Sequence, residues 1–191
     1  MRPGYNTNGF AHHRLEDALD ILAELGCESV ALTVDVNAIP PPLCLSVHPR
    51  IRKRLERDGM RCVIETGARF LLDPRRKHHP TLLDPDEDAQ EIRFQFLSYC
   101  IDAAWHVGAD AVSFWSGAAR TDESVETLFQ RLADSCIQLC DEAMAVGVRL
   151  AFEPEPGMFI DTMDKYERLF HAVDHPAFGL TLDIGHLQCM G

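Results

Sequence analysis

The sequence lacks the features that mark membrane, secreted and dinucleotide-binding proteins. No apolar run reaches the roughly 20 residues that a membrane-spanning helix needs. The N-terminal segment MRPGYNTNGF lacks the apolar core of a signal peptide. No Gly-x-Gly-x-x-Gly motif follows the first predicted strand, so the usual sign of a dinucleotide-binding fold is missing. We therefore expect a cytoplasmic protein with no membrane partner.

Positive charge is scarce in this chain. The 191 residues include 18 Lys and Arg against 30 Asp and Glu, which gives a formal net charge of -12. Nucleic-acid binding depends on clustered Lys and Arg. The charge balance therefore predicts no nucleic-acid partner.

Cysteine shows no pairing pattern. The 7 cysteines are an odd number and include no Cys-x-x-Cys pair. Most lie in apolar segments, where reduced cysteine behaves as a small hydrophobic residue. Cys136 and Cys140 lie one helical turn apart, but their neighbours repeat as a core face, so we expect both in the core rather than on a metal.

One local pattern repeats along the chain. A segment with helical periodicity ends at glycine, a short apolar run follows, and that run ends in a polar cluster. Glycine just past a helix end accepts the left-handed backbone that closes the helix. The apolar runs are rich in Val, Leu, Ile and Phe, as expected for strands of a parallel sheet that is buried on both faces. The instances are LGCESVALTVD, DGMRCVIETG, VGADAVSFWSG, VGVRLAFEPEP and FGLTLDIGH.

The segments between the apolar runs predict amphipathic helices. Asp84 and Pro85 predict the start of the third helix, as its N-cap and first helical residue. A shorter helix is expected over 163–172. The predicted buried stripes of the first, third and fourth helices are Leu15, Leu19 and Leu22; Ile92, Phe96, Cys100 and Ala103; and Val125, Leu128, Phe129, Leu132, Cys136 and Leu139.

This alternation predicts a parallel α/β sheet with right-handed crossovers, in a single domain over residues 1–191. With a first strand near residues 3–6, the chain holds six strand–helix units, the last without a helix. A doubly wound sheet closes with about six strands, whereas a (β/α)8 barrel needs eight strands and about 250 residues. The last strand runs into DIGHLQCMG with no predicted helix to cover it, and such an edge is exposed. We therefore favour a TIM barrel truncated to strands 1–6, with strands 7–8 missing, and expect a homo-oligomer as one way to cover its edges.

Polar residues collect where the predicted strands end, which is where parallel folds place their chemistry. Glu153 and Asp183 end neighbouring strands, so their carboxylates can converge on one cation, and His186 follows Asp183 by three residues. Oxygen ligands with an imidazole suit Mn²⁺, Mg²⁺, Co²⁺ or Zn²⁺. Each residue alone serves equally well as a cap for the next helix. The strand-end set is Asn6, Asn8, Asp35, Glu65, Trp115, Ser116, Glu153, Glu155, Asp183 and His186.

Some of these residues are candidates for contact with a substrate. Glu155 lies two residues after Glu153, so its side chain points to the other face if the backbone stays extended. It is a substrate contact or part of a loop salt bridge. Trp115 stacks on a sugar ring or fills the end of the barrel, and Asn6 reaches the same mouth. Three further histidines lie near this edge, and at least one of the first two is expected to cap the first helix: His12, His13 and His48.

The loop after the third strand, ETGARFLLDPRRKHHP at residues 65–80, holds the one basic cluster of this acidic protein. Arginine suits a phosphate or carboxylate, and long loops at this edge commonly form lids or hold substrates. Arg69 is therefore a candidate substrate contact, with a solvated loop that balances the acidic surface as the alternative. Glu65, at the start of the loop, is expected to bind a sugar hydroxyl or to hold Arg69.

The segment LAFEPEPG, followed about 30 residues later by LTLDIGH, resembles the sugar phosphate isomerase/epimerase superfamily. These are xylose isomerase-like TIM barrels, related to endonuclease IV-type enzymes. The resemblance implies that Glu153 and Asp183 bind a divalent metal, with Mn²⁺ as first choice and Co²⁺, Mg²⁺ or Zn²⁺ as alternatives. It implies for His186 a substrate contact, as in the epimerases, or a zinc ligand, as in the endonucleases. The family also takes a histidine from strand 7 and a glutamate from strand 8, which match nothing in this sequence.

The resemblance implies a metal-dependent isomerase or epimerase of a sugar or sugar-like small molecule. In such an enzyme Glu153 would move a proton beside a metal-bound carbonyl. Two alternatives stay open: a non-catalytic metabolite-binding or assembly protein on the same barrel, and a zinc-dependent phosphodiesterase of the AP-endonuclease kind. The expected substrate contacts are His186, Glu155, Glu65, Arg69, Asn6 and Trp115.

Overall fold

The computed structural model describes residues 2–36, 48–67 and 69–190, apart from the side chain of His48. Its centre is a 6-stranded sheet whose spatial order, β1 to β6, is the order of the strands in the sequence. Every pair of neighbouring strands is parallel. A doubly wound sheet reverses direction partway through its strand order, so the sequential order favours the barrel arrangement. The strands are β1 (Gly4–Asn6), β2 (Ser29–Thr33), β3 (Arg61–Glu65), β4 (Ala111–Phe114), β5 (Arg149–Phe152) and β6 (Phe178–Leu180).

A helix follows each strand, as the alternating pattern predicts for the first five units. The expected short helix over 163–172 is confirmed as α5, and a turn of 3₁₀ helix at Thr7–Phe10 follows β1. Among the described residues, no helix has the length and apolar character to cross a membrane. The helices are α1 (Leu15–Glu24), α2 (His48–Asp58), α3 (Glu87–Val107), α4 (Val125–Ala145), α5 (Met163–Val173) and α6 (Ile184–Met190).

The helices end as the glycine pattern predicts, with one exception. Gly108 closes α3 in the left-handed conformation, with φ 74°, which costs glycine little because it has no Cβ. In the fifth repeat the assignment was wrong. Gly179 lies inside β6, and Asp174 with φ 40° closes α5. Aspartate tolerates this region better than most side chains do, so it replaces glycine there.

The predicted boundaries and stripes need three corrections. The N-cap of α3 is Asp86, whose side chain accepts a hydrogen bond from the N–H of Asp88, and not Asp84. Ile92 and Val125 were predicted to be buried but are about half exposed, at 51% and 50%. Both lie in the first two turns of their helices. The other predicted stripe residues of α1, α3 and α4 are buried.

The segment after β6 is the third correction. It was expected to continue without a helix, but it forms α6 over Ile184–Met190. The residues of α6 are apolar or uncharged apart from one histidine, and the helix buries none of them. Its sequence therefore carried no amphipathic stripe from which the helix could be predicted.

The two faces of the sheet differ in burial. Phe114 and Phe152 are paired neighbours on β4 and β5, are fully buried, and meet edge to face with ring centroids 5.1 Å apart. Ser113 and Ala151 face the other way and are only partly buried. The prediction of a sheet buried on both faces is therefore wrong for the second face.

That second face is the inside of a curved sheet. The Oγ of Ser113 on β4 lies 2.7 Å from the Oγ1 of Thr181, which follows β6. These strands are separated by β5, and two strand spacings in a flat sheet span about 10 Å. Two short hydroxyl side chains meet over that distance only if the sheet curves toward them, and the small Ala151 lies between. Six strands curve in this way without enclosing the face completely.

The aromatic cluster around Phe152 is expected to dominate the stability of the β5–β6 end. Its ring also lies 5.9 Å from Phe178 and 6.3 Å from Tyr166. Phe152→Ala should lower the free energy of unfolding by about 3–5 kcal/mol, because it removes a fully buried ring and leaves a cavity. Ile92→Ala, on the exposed side of α3, is the control and should cost less than about 1 kcal/mol. Urea denaturation followed by circular dichroism measures both. Equal losses in the two variants would contradict this account of the core.

Candidate metal centre

Glu153, Asp183 and His186 converge at the carboxyl ends of β5 and β6. Each offers one ligand atom, and these atoms all lie within 4.8 Å of one another. The Oε1 of Glu153 is 3.5 Å from Nδ1 of His186, and Nε2 of His186 is 3.7 Å from Oδ2 of Asp183. The predicted meeting of the two carboxylates on one side of the sheet is therefore present in the geometry.

The strand pairing and the start of α6 position these three side chains. The N–H of Glu153 donates to the carbonyl of Phe114 at 2.8 Å, which extends the β4–β5 ladder by one residue. At the other strand, the N–H of His186 donates to Oδ1 of Asp183 at 3.0 Å. This bond between residues three apart is the usual side-chain cap of a helix N-terminus. The helix that sequence reasoning missed is thus the element that brings His186 back to Asp183.

The environment of Glu153 disfavours its charge. Burial, and after it the neighbouring carboxylate of Glu155, raise the pKa of Glu153 to about 7, while His186 opposes the shift. At a pH equal to this pKa, the carboxyl is half protonated when no cation is bound. A divalent cation would favour the ionised form and remove this penalty. Two carboxylates and an imidazole are suitable ligands for Mn²⁺, Co²⁺, Mg²⁺ or Zn²⁺, so the residues fit the implied ion.

The three residues line one side of a pocket with a volume of about 550 Å³. That volume is in the range of pockets that hold small molecules. All the residues predicted from sequence as metal ligands or substrate contacts contribute to this one pocket. They are Asn6, Glu65, Arg69, Trp115, Glu153, Glu155, Asp183 and His186.

Glu155 enters the same pocket as Glu153 because the backbone does not stay extended. β5 ends at Phe152. The chain then turns, and the N–H of Glu155 donates to the carbonyl of Ile160 at 3.1 Å. Burial raises the pKa of Glu155, while His186 and Lys77 lower it. Within the described chain, Glu155 makes no ion pair at 4.0 Å or less, so the alternative of a loop salt bridge has no geometric support.

Glu65 and Asn6 share the hydroxyl of Thr33. Its Oγ1 lies 2.8 Å from Oδ1 of Asn6 and 2.9 Å from Oε2 of Glu65. One hydroxyl hydrogen serves only one acceptor at a time, so a protonated Glu65 would complete both bonds. Burial is the main cause that raises the pKa of Glu65, which is consistent with that arrangement. Asn6 also accepts from the N–H of Asn8 at 2.8 Å, so its amide oxygen is already used within the protein.

Trp115 forms part of the pocket wall and is largely buried, at 9% exposure. Its ring meets the ring of His78 edge to face at 5.1 Å, and the guanidinium of Arg93 lies 5.0 Å from its centroid. These contacts hold the indole against α3 and the loop after β3, and Trp115 also lines the pocket. Arg93 was missed from the sequence. The signal that would have found it is its spacing of three, four and seven residues from Phe96, Leu97 and Cys100 on the buried stripe of α3.

The N-terminal histidines do not act as expected. The residue before α1 is Arg14, and no side chain caps that helix. His12 and His13 are both exposed, and the ring of His13 packs against Phe10 at 5.2 Å. The expectation that at least one caps α1 is therefore wrong. The side chain of His48 lies outside the described residues, so its role stays a prediction.

Comparison with known proteins identifies the family of this architecture. The family described as xylose isomerase-like TIM barrel matches residues 8–191. A search of curated protein sequences gave no match.

Solved structures that resemble this fold include proteins with a bound metal or sugar. An IOLI protein with a bound zinc atom is 16% identical, with a TM-score of 0.78 over 100% of this chain and 66% of its own. A D-psicose 3-epimerase with D-tagatose, from Clostridium cellulolyticum H10, is 15% identical, with a TM-score of 0.77 over 98% of this chain and 65% of its own. A xylose isomerase-like TIM barrel protein from Mycobacterium smegmatis in complex with magnesium is 21% identical, with a TM-score of 0.69 over 97% and 65%. The chain thus spans about two thirds of the length of each.

The burial of Glu153 predicts a stability that depends on pH. Its folded pKa of about 7 exceeds the ordinary value of about 4.3 for an unfolded chain, so the metal-free fold loses stability as pH rises through 7. Glu153→Gln keeps the shape of the protonated acid. In the presence of a chelator it should raise the free energy of unfolding at pH 8 by about 1–3 kcal/mol, and by less at pH 5.

Glu142→Gln is the matched control, because Glu142 is exposed on α4. It should change the stability little at either pH. Urea denaturation at the two pH values measures all three proteins. A gain for Glu153→Gln that is the same at pH 5 and pH 8 would show that charge burial is not its cause.

Proposed function

The chain belongs to the xylose isomerase-like TIM barrel family, and on that premise we propose that it forms the metal-binding part of an isomerase or epimerase. Its substrate is a sugar or sugar-like small molecule, and its cofactor is a divalent ion, with Mn²⁺ as first choice. The observation that carries the proposal is the convergence of Glu153, Asp183 and His186, with ligand atoms within 4.8 Å of one another, at one side of a polar pocket.

The structural neighbours support this class of reaction more than they support a particular substrate. One is a sugar epimerase with a bound ketose, and two others are described with zinc and with magnesium. Identities of 15–21% establish the shared fold, and residue roles come from the geometry of this chain. A tight metal site has three or four protein ligands. The two carboxylates and one imidazole of this site would supply the first three.

In the proposed reaction Glu153 has two tasks, and a carboxylate has two oxygens to perform them. One of them would help to hold the ion, and the other would accept the proton from the carbon beside the substrate carbonyl. A divalent ion, when bound, polarises that carbonyl and a neighbouring hydroxyl. With the ion bound, Glu153 would be ionised and would act as the base that takes this proton and returns it.

The remaining pocket residues orient the substrate. His186 and Glu155 lie beside Glu153, and the Thr33 hydroxyl couples Glu65 to Asn6 on the opposite wall. Carboxylates and amides at hydrogen-bond distance suit the hydroxyl groups of a polyol. An epimerase also needs an acid on the second face of the substrate. The family resemblance places that role on a strand-8 glutamate, which matches nothing in this sequence.

The phosphodiesterase alternative gains no support from the geometry. A zinc cluster requires several histidines, and the only group of at least three potential ligands found among the described residues contains a single one, His186. A non-catalytic binding protein stays the competing hypothesis, and the turnover measurement below separates it from an enzyme.

Metal binding is the direct test of the proposed centre. The protein should bind Mn²⁺ at about one ion per chain by isothermal titration calorimetry. Asp183→Asn and Glu153→Gln should each weaken binding by at least about tenfold, because each removes a charged ligand. Asp164→Asn is the control, since Asp164 lies on α5 and does not line this pocket. Unchanged Mn²⁺ affinity in both site variants would refute the assignment.

Turnover is tested on a panel of ketohexoses by following the appearance of the epimer or aldose. Glu153→Gln should abolish it while circular dichroism shows the native secondary structure. A wild-type protein that binds Mn²⁺ and a sugar but turns over no member of the panel would favour the binding-protein alternative.

A further inference from the structure

The basic loop between β3 and α3 is closed into a compact turn at the pocket. The backbone N–H of His78 donates to the carbonyl of Arg69 at 2.6 Å. This bond brings the backbone of Arg69 beside that of His78, although Lys77 follows Arg69 by eight positions. All three residues line the pocket that holds Glu153 and Asp183. Arg69 and Lys77 both lie close enough to His78 to lower its pKa. Two cationic residues therefore contribute to an acidic pocket.

A buried arginine from α3 anchors this turn from below. The Nε of Arg93 donates to the carbonyl of Pro80 at 2.7 Å, and its Nη2 donates to the carbonyl of His78 at 3.0 Å. The guanidinium also lies over the rings of Phe96 and Trp115. Burial lowers the pKa of Arg93 to about 10, so it stays charged at neutral pH. An anchor of this kind holds the pocket end of the loop in one position.

Arg69 and Lys77 are not neutralised in the way that other cations of the chain are. Arg76 of the same loop binds Asp73 at 2.7 Å, and Arg131 binds Glu123 through both of its terminal nitrogens. Within the described ranges no carboxylate lies within 4.0 Å of Arg69 or Lys77. Their charges act on the pocket from a distance: Lys77 lowers the pKa of Glu155, and Arg69 lowers that of Glu65.

His78 adds a third group beside these cations. Its Nδ1 is buried and has no hydrogen-bond partner among the described residues. Its backbone has φ 65°, in the left-handed region that few residues other than glycine adopt. Desolvation is the main cause that lowers the pKa of His78 to about 4. The ring is therefore neutral at pH 7 and donates or accepts one hydrogen bond without adding charge.

We propose that the pocket takes an anionic sugar-like compound, whose carboxylate or phosphate is held by Arg69 and Lys77 while its carbonyl end faces Glu153, Asp183 and His186. The inference rests on the proposed function and names the substrate class of that site. A divalent ion held by Glu153 and Asp183 would balance their two charges. Arg69 and Lys77 would then attract an acid more strongly than a neutral sugar, against the opposing charges of Asp35, Glu65 and Glu155 in the same pocket.

Matched pairs of neutral and anionic sugars test this inference. The pairs are D-fructose with D-fructose 6-phosphate, and D-galactose with D-galacturonate, so that phosphate and carboxylate are separated. Binding to the Mn²⁺-loaded protein is measured by calorimetry. At least one anionic member should bind about tenfold more tightly than its neutral partner, which is the size of a charge-assisted contact at a partly exposed site. Equal affinities within both pairs would overturn the proposal.

Arg69→Gln and Lys77→Gln identify the groups responsible. Each should lower the affinity for the anionic sugar about five- to tenfold and leave the affinity for the neutral sugar and for Mn²⁺ within about twofold. Arg75→Gln is the control: Arg75 is exposed on the same loop but does not line the pocket. If the first two variants weaken both sugars of a pair equally, or if Arg75→Gln has the same effect as they do, the cations only support the loop and the proposal is wrong.

The same titrations on metal-free protein separate this inference from the proposed function. If no Mn²⁺ binds, the metal centre fails. An anion preference that persists without metal and disappears in Arg69→Gln would still support the anion site. If metal binds and the metal-loaded protein discriminates in neither pair, the metal centre stands and the anion site fails.

Discussion

The parallel pairing of β5 with β6 is the constraint on which the candidate site depends. Its register aligns Phe152 with Leu180, so Glu153 and Asp183 both leave the sheet at the same edge. Antiparallel pairing would place one of these residues at the opposite end of the sheet. The ladder continues one residue past the strands, where the N–H of Thr181 donates to the carbonyl of Phe152 at 2.9 Å. Backbone hydrogen bonds thus set the distance between the carboxylates, and the aromatic cluster behind Phe152 keeps the two strands together.

Curvature of the sheet gives the second condition. The hydrogen bond between the hydroxyls of Ser113 and Thr181 shows that side chains two strands apart meet on the inner face. The same curvature turns the ends of β3 and β5 toward one mouth, so that Glu65 is close enough to Glu153 to raise its pKa. A flat sheet would spread the strand-end residues along a line. The pocket is therefore a consequence of the barrel-like curvature as much as of the residues themselves.

Much of the fold could be predicted from the sequence, because its signals are local. Apolar runs marked the strands, and glycines marked the ends of α1 to α4. The predictions failed where tertiary contacts overrode a local pattern. Ile92 has the spacing of a core residue, yet the first turns of α3 leave it exposed. α6 has no stripe to detect, since none of its residues is buried. The start of α3 is set by a single side chain, that of Asp86. The sequence does not distinguish this N-cap from the nearby Asp84, because both are aspartates.

The sequence predicted which residues form the site, but it did not predict how they are arranged. Periodicity placed Glu153 and Asp183 at strand ends, and a rule for extended chains pointed Glu155 away from them. The turn that follows β5 cancels that rule, because the N–H of Glu155 bonds to the carbonyl of Ile160. Lys77 and Arg69 illustrate the same limit. The sequence places both in the basic loop at residues 65–80, but the backbone hydrogen bond between His78 and Arg69, which closes that loop at the pocket, has no local signal.

The separation between the acidic and basic groups of the pocket is itself informative. Carboxylates concentrated in one cleft repel one another, and the raised pKa values of Glu65, Glu153 and Glu155 reflect that repulsion together with burial. Within the described residues, Arg69 and Lys77 do not contact those carboxylates in the way that Arg131 contacts Glu123. The anchoring of the loop by Arg93 instead holds its pocket end in place. Cations and carboxylates that line one pocket without pairing are both available to a bound molecule.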